Sequence, residues 1–123
     1  MANPNIVNVS SIYGNTSYLI PSTTGATTWT ALTPAAGTVN KIDNIVASNV
    51  TASAVAVTVS INSATGGGGT AYRIAYQISV PANASLIIVD KTTAIYVGES
   101  QSIVVTVGTG SAIELTAAYE AIT

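Results

Sequence analysis

Apolar and polar positions alternate with a period of two along much of this chain. In "VAVTVSI", Val55, Val57, Val59 and Ile61 fall on one side and Ala56, Thr58 and Ser60 on the other, the pattern of a half-buried strand. "SAIELTAAYEAI" sets Ile113, Leu115, Ala117 and Tyr119 against Ala112, Glu114, Thr116 and Glu120, with Ala118 between. "SIVVTV" (Ser102 to Val107) is rich in β-branched residues, whose stiff side chains favour a pleated backbone. "TVNKIDNIVASNV" (Thr38 to Val50) and "TAYRIAYQISV" (Thr70 to Val80) predict two longer strands. "ASLIIVD" is a continuous apolar run, which predicts a strand buried on both faces.

Turn formers separate these segments: "PSTTG", "TPAAG", "NVTAS", "ATGGGG", "VPANA", "DKTT", "GES" and "GTG". They recur roughly every eight to twelve residues, the spacing of a sandwich or barrel. No segment keeps a helical period with caps. The expectation is an all-β protein: a single β-sandwich of about eight strands, immunoglobulin-like or jelly-roll in type. Residues 1–14 form either an extended N-terminal arm or a first strand, and residues 15–123 the sandwich domain. The apolar residues of the first segment need a cover, so Asn3, Pro4, Asn5, Ile6, Val7, Val9, Ile12 and Tyr13 are candidate contacts with a neighbouring subunit.

The run "NSATGGGGTAY" raises the question of a phosphate-binding loop. Such a loop needs a Lys with a Ser or Thr, and a following helix whose N-terminus faces the anion. Here there is no Lys, and the next segment alternates as a strand. The reading is a long, flexible hairpin loop that tolerates deletion of Gly67 and Gly68, with Gly66, Gly67, Gly68 and Gly69 as a candidate contact loop.

Composition narrows the function. Of 123 residues, three are basic and five acidic, 7% in all, while 48% are apolar. Soluble domains usually carry about one-quarter charged residues. A surface of Ser, Thr, Asn and Gly offers little charge repulsion against association, and reads as adapted to packing against other subunits. A nucleic-acid partner is not expected, because no basic patch exists to neutralise phosphates. No membrane partner is expected either: the longest apolar runs are too short to span a bilayer, and the opening "MANPNIVNVS" does not read as a secretory signal.

Chemistry is equally constrained. Without His or Cys, the usual catalytic triads, imidazole acid–base catalysis and thiolate zinc sites are excluded. Glu114 and Glu120 lie on one strand and share its polar face, Asp90 neighbours Lys91 as a solvated pair, and Glu99 sits in a turn. No calcium-loop spacing is present. The expectation is a protein that is not an enzyme, with no cofactor, no metal and no small-molecule substrate. Tyr72 and Tyr76, four apart, share a face and read as core members with hydroxyls at the rim. A binding-module alternative uses Trp29 and the tyrosines as a platform for host glycans. Four matches to the N-glycosylation pattern, "NVS", "NTS", "NVT" and "NAS", are the chance yield of so Asn-, Ser- and Thr-rich a chain.

A resemblance adds to this. Val80, Pro81 and Ala82 form a "VPA" turn before an apolar strand. A "K-T-x-x-I-Y" step follows at Lys91, Thr92, Ile95 and Tyr96, then an acidic turn at Glu99, then Tyr119, Glu120 and Ile122 near the C-terminus. With the opening "NPNIVNVSSIYGNT", these segments resemble small virion structural proteins of tailed bacteriophages, notably cyanophages. The resemblance implies a non-enzymatic virion component, made in the host cytoplasm and located on the particle. The first reading within it is a capsid decoration (cement) protein whose partners are the major capsid protein and copies of itself. A neck, collar, tail or fibre-associated role is the alternative.

Overall fold

A computed structural model describes residues 9–123. Nine strands form two antiparallel sheets: β1 (Ile12–Leu19), β2 (Thr27–Thr28), β3 (Val39–Asn49), β4 (Val55–Asn62), β5 (Ala71–Val80), β6 (Ser85–Val89), β7 (Ile95–Val97), β8 (Ser102–Val107) and β9 (Ile113–Ile122). One sheet runs β1-β9-β3-β6, with β7 also paired to β3, and the other runs β2-β8-β4-β5. The sandwich expectation holds, and the strand order chooses between its two forms. First pairs with last (β1 with β9), then β2 with β8, β3 with β6 and β7, and β4 with β5. This nested pairing is a jelly roll. An immunoglobulin order would place two consecutive strands side by side at the start of one sheet. The count exceeds the expected eight because β6 and β7 are two halves of one edge, both lying against β3 and separated by a 3-10 turn at Lys91–Thr93.

The inward rows of the two sheets make the core. Val55, Val57 and Val59 of β4 meet Ile42, Ile45 and Ala47 of β3 and Ile113, Leu115 and Ala117 of β9, with Ile103, Val105 and Val107 of β8 beside β4. The alternation seen in the sequence therefore reports the sandwich interior directly. Trp29 follows β2, is fully buried, and donates its Nε1–H to the Ser17 hydroxyl at 3.0 Å. It ties β1 to the core and has no face left for a sugar.

Buried or half-buried asparagines organise several of the loops. The Asn49 amide donates to the carbonyls of Ser53 and Val80 at 2.8 and 3.0 Å, while its oxygen accepts from the Thr51 N–H at 2.9 Å. The "NVT" site is thus consumed by folding and closed to glycosylation in the native state. Asn44 repairs the bulge of β3, its oxygen accepting the Ala118 N–H at 3.1 Å. Asn40 donates to the Leu32 carbonyl at 2.9 Å. Each of these satisfies backbone groups that burial would otherwise leave unpaired.

Several expectations need correction. The division at residue 14 falls inside β1, whose register with β9 is unbroken from Ile12 to Leu19. The apolar run of β6 is not buried on both faces: it is an edge segment that alternates, and Ile87 is 64% exposed. Asp90 makes no ion pair with Lys91. It caps the 3-10 turn, its Oδ1 accepting from the Thr92 N–H at 2.9 Å and from the Thr92 hydroxyl at 2.5 Å. These bonds hold the Asp90 carboxyl below its ordinary range, those to Thr92 being the largest cause. Because the folded value is the lower one, the cap's contribution is present above the ordinary value of 3.8 and is lost as pH falls through the folded value. A carboxyl NMR titration should accordingly place the Asp90 midpoint below that of an unfolded Asp. Asp90→Ala should remove the acid-range loosening of the Thr92 and Thr93 amides.

Candidate interaction surface

The outer face of the β1-β9-β3-β6 sheet exposes Ile12, Tyr18, Ile87 and Tyr96, while β5 of the other sheet exposes Tyr72, Tyr76 and Ile78. Register builds the first of these faces row by row. Tyr18 of β1 lies beside Thr116 of β9, Thr116 beside Val46 of β3, and Val46 beside Ile87 of β6. This row crosses four strands, roughly 14 Å at the usual inter-strand spacing. Tyr18 is 78% exposed and Ile87 64%. Two rows away, Gly14, Glu120, Lys41 and Tyr96 line up in the same manner. Ile12 and Ile20 continue the β1 side of the face, both about half exposed. A shallow depression of about 540 Å³ lies at the Tyr18 end, between Tyr18, Ile20, Glu114 and Thr116.

Charge lies to both sides of the Tyr18–Ile87 row: Lys41, Asp43 and Glu120 on one side, and Glu114, two residues before Thr116 on β9, on the other. Lys41 lies 3.8 Å from Asp43 and 3.7 Å from Glu120. Such half-exposed pairs contribute about 1 kcal/mol or less. The Tyr18–Thr116–Val46–Ile87 row itself has no charge in it, and Glu114 stands exposed at its margin. Glu114 and Glu120 do share the outer side of β9, facing Ser48 and Lys41 respectively.

The opposite sheet is capped by the glycine loop, which is not the free, flexible hairpin that its composition predicts. It folds back over β8 and β4. Asn62, buried, accepts from the Ala64 and Gly69 N–H groups at 3.0 and 2.9 Å and donates to the Gly67 carbonyl at 3.1 Å. Ser102 donates to the Ala64 carbonyl at 2.6 Å, and Thr28 to that of Gly66 at 3.2 Å. Gly67 has φ +79°, and a Cβ there would lie 2.6 Å from Thr28 Oγ1 and 3.2 Å from Val104 Cγ2. A Cβ at Gly69 would strike Ser63 Oγ. Gly67 and Gly69 are therefore packing requirements, whereas Gly66 and Gly68 have open space around them. Deleting Gly67 would break this cover, contrary to the expectation of tolerance. Asn62→Ala should leave the loop amides of Ala64 and Gly69 without their acceptor and cost about 1–3 kcal/mol, read as a fall in the urea midpoint with an unchanged slope.

The predicted contact residues separate. Asn3, Pro4, Asn5, Ile6 and Val7 lie outside the described residues. Val9 is half-buried, and Ile12 and Tyr13 are exposed and adjacent on β1, so they leave by opposite faces. Gly66–Gly69 lie over the other sheet, on the far side of the sandwich from Ile12. Tyr72 and Tyr76 neither share a face nor join the core. Two register shifts in β5 place Tyr72 opposite Ile61 and Arg73 opposite Ser60, and the Arg73 guanidinium covers the Tyr76 ring at 5.2 Å. Ile20 and Ile87 are not singled out by sequence, and Tyr18 and Tyr96 enter there only among the tyrosines of the glycan-platform alternative and, for Tyr96, in the virion-protein motif. The alternation Ile12, Tyr18, Ile20 within "IYGNTSYLI" carries the signal for the β1 members.

No family model matches the chain, and no curated protein matches it. Among solved structures it is similar to the Drosophila NLP core, a structure bearing on pentamer formation and histone binding. The TM-score is 0.45 and the identity 16%, over 90% of this chain and 98% of that one. It is also similar to a chain of infectious bursal disease virus, Gt strain, at TM-score 0.37 and 10% identity, covering 93% of this chain and 31% of the other. The Gx strain gives 0.28 and 10%, over 89% and 40%. This chain thus spans under half the length of either viral chain, and likenesses at these scores assign neither family nor function.

Proposed function

We propose that this protein is a non-enzymatic structural component of a phage virion, a decoration protein that sits on the outer surface of the major capsid shell and binds the major capsid protein. The observation that carries this reading is the uncharged apolar row from Tyr18 to Ile87 across the outer face of one sheet. An exposed row with no charged member suits burial against another protein, since its hydrophobic gain is not offset by desolvating an ion within it. The resemblance of the turn and strand motifs to cyanophage virion proteins supplies the setting. Docking through such a face depends little on charge, so raising the salt concentration should leave particle binding nearly unchanged.

Copy number tests the assignment. Quantitative mass spectrometry of purified particles should find this chain in numbers of the same order as the major capsid protein. A count of a few copies per particle would instead place it at the neck or tail, and its absence from particles would overturn the virion reading.

A further inference from the structure

We infer that β1 is a self-pairing edge: two copies of this chain join by antiparallel β1–β1 pairing about a two-fold axis near Asn15. This goes beyond the capsid reading and stands without it, since it concerns the purified protein alone.

The argument begins with the sheet edges among the described residues. A sheet edge presents unpaired N–H and C=O groups, and folded proteins blunt such edges with bulges, charges, prolines or brevity. Three of the four edges here are blunted. β2 is two residues long. β5 is interrupted by two register shifts and by Gln77 at φ +48°. The β6–β7 edge is broken by the Asp90-capped turn. β1 has none of these devices: "IYGNTSYL" contains no charge and no proline, and its register with β9 is continuous.

The hydrogen-bond phase shows which groups face outward. Ser11 and Thr123 exchange both backbone bonds, at 3.2 and 2.9 Å. Pairs of this kind alternate along an antiparallel ladder, so Tyr13, Asn15 and Ser17 also bond to β9. The N–H and C=O groups of Ile12, Gly14, Thr16 and Tyr18 therefore point to the open edge. These same residues carry their side chains on the outer face.

A second β1 can satisfy both requirements at once. An antiparallel pair centred on Asn15 sets Ile12 opposite Tyr18 of the partner subunit and Gly14 opposite Thr16 of the partner subunit, each twice by symmetry. All the edge groups then meet in reciprocal bonds. Ile12 against Tyr18 of the partner subunit is a β-branched–aromatic pair of the stabilising kind. A homotypic antiparallel pair brings a charge near the two-fold axis close to its own symmetry copy, so a strand with no charge around Asn15 can make one without repulsion. Together with the self-complementary register, this commits the edge to a second copy as its occupant. The result is one continuous sheet whose apolar outer face is doubled, closed by two-fold symmetry.

The test is the solution mass together with the edge amides. Native mass spectrometry and sedimentation of the full chain should give a dimer, twice 12.3 kDa, with slow hydrogen exchange at the amides of Ile12, Gly14, Thr16 and Tyr18. Thr16→Pro removes an edge-facing N–H that β9 does not use, and Pro is tolerated on an edge strand. It should convert the dimer to a folded monomer. Thr16→Lys, which retains the backbone N–H, should do the same through repulsion of the two copies. A wild-type monomer or trimer would overturn the proposal. So would a dimer that survives Thr16→Lys, or one whose four edge amides exchange freely.

Discussion

Ile87→Asp should fold as the wild type does and bind particles at least about 30-fold more weakly, a loss of roughly 2 kcal/mol of the size found at interface hot spots. Ile87 lies on an edge segment, is 64% exposed, and ends the apolar row that begins at Tyr18. Its outward position means that the substitution removes no core contact, and the penalty for Asp in a strand is about 1 kcal/mol or less. In the bound state the new carboxylate would be buried without a partner, which adds desolvation to the lost apolar contact. The matched control is Tyr76→Asp, on the other sheet, which should bind normally. Circular dichroism and the urea midpoint separate a folding defect from a docking defect. Equal binding by Ile87→Asp and wild type would remove the outer face from the account.

Trp29→Ala should be the most destabilising single substitution in the described chain, costing about 3–5 kcal/mol. That is a large share of the roughly 5–15 kcal/mol that holds a domain together. Trp29 is the largest of the fully buried side chains, and its Nε1–H bond to Ser17 links the loop after β2 to β1. Removing it leaves a cavity between the sheets and frees the strand that forms the open edge. Trp29→Phe keeps most of the ring volume and loses the donor, so it should recover most of the stability. The same burial predicts that Trp29 fluorescence will not respond to added glycans. A Trp29→Ala protein with a wild-type denaturation midpoint would contradict the packing described here.

How much of this was legible in the sequence depends on the range of the interactions involved. β4 and β9 announce themselves by alternation because each contributes one row to the interior, whereas β8, buried along nearly its whole length, announces itself by β-branched content and matches its predicted limits residue for residue. The nested strand order was not legible. It is a pattern of pairings between distant segments such as Ile12 with Ile122, and local periodicity contains no term for it. β6 was misread because an apolar run looks the same whether its residues are covered by a second layer or, like Ile87, left for a partner. The glycine loop was recognised as a β4–β5 connection. Its return over the sheet depends on Asn62, whose role rests on bonds to Ala64, Gly67 and Gly69 and has no composition signature. The tyrosines of β5 moved to different faces because its bulges break the rule that residues an even number apart share a side. Asn49 was visible only as a glycosylation pattern, since its buried hydrogen bonds reach a neighbouring strand.

Hydroxyl-radical footprinting of the protein free and on intact particles tests the central claim most directly. The outer sheet face and the opposite sheet each carry exposed reactive side chains, so one experiment reads both. The account predicts that Tyr96 and Ile87 become protected on the particle while Tyr72 and Tyr76 stay as reactive as in the free protein. Unchanged oxidation of Tyr96 and Ile87 on the particle would contradict it.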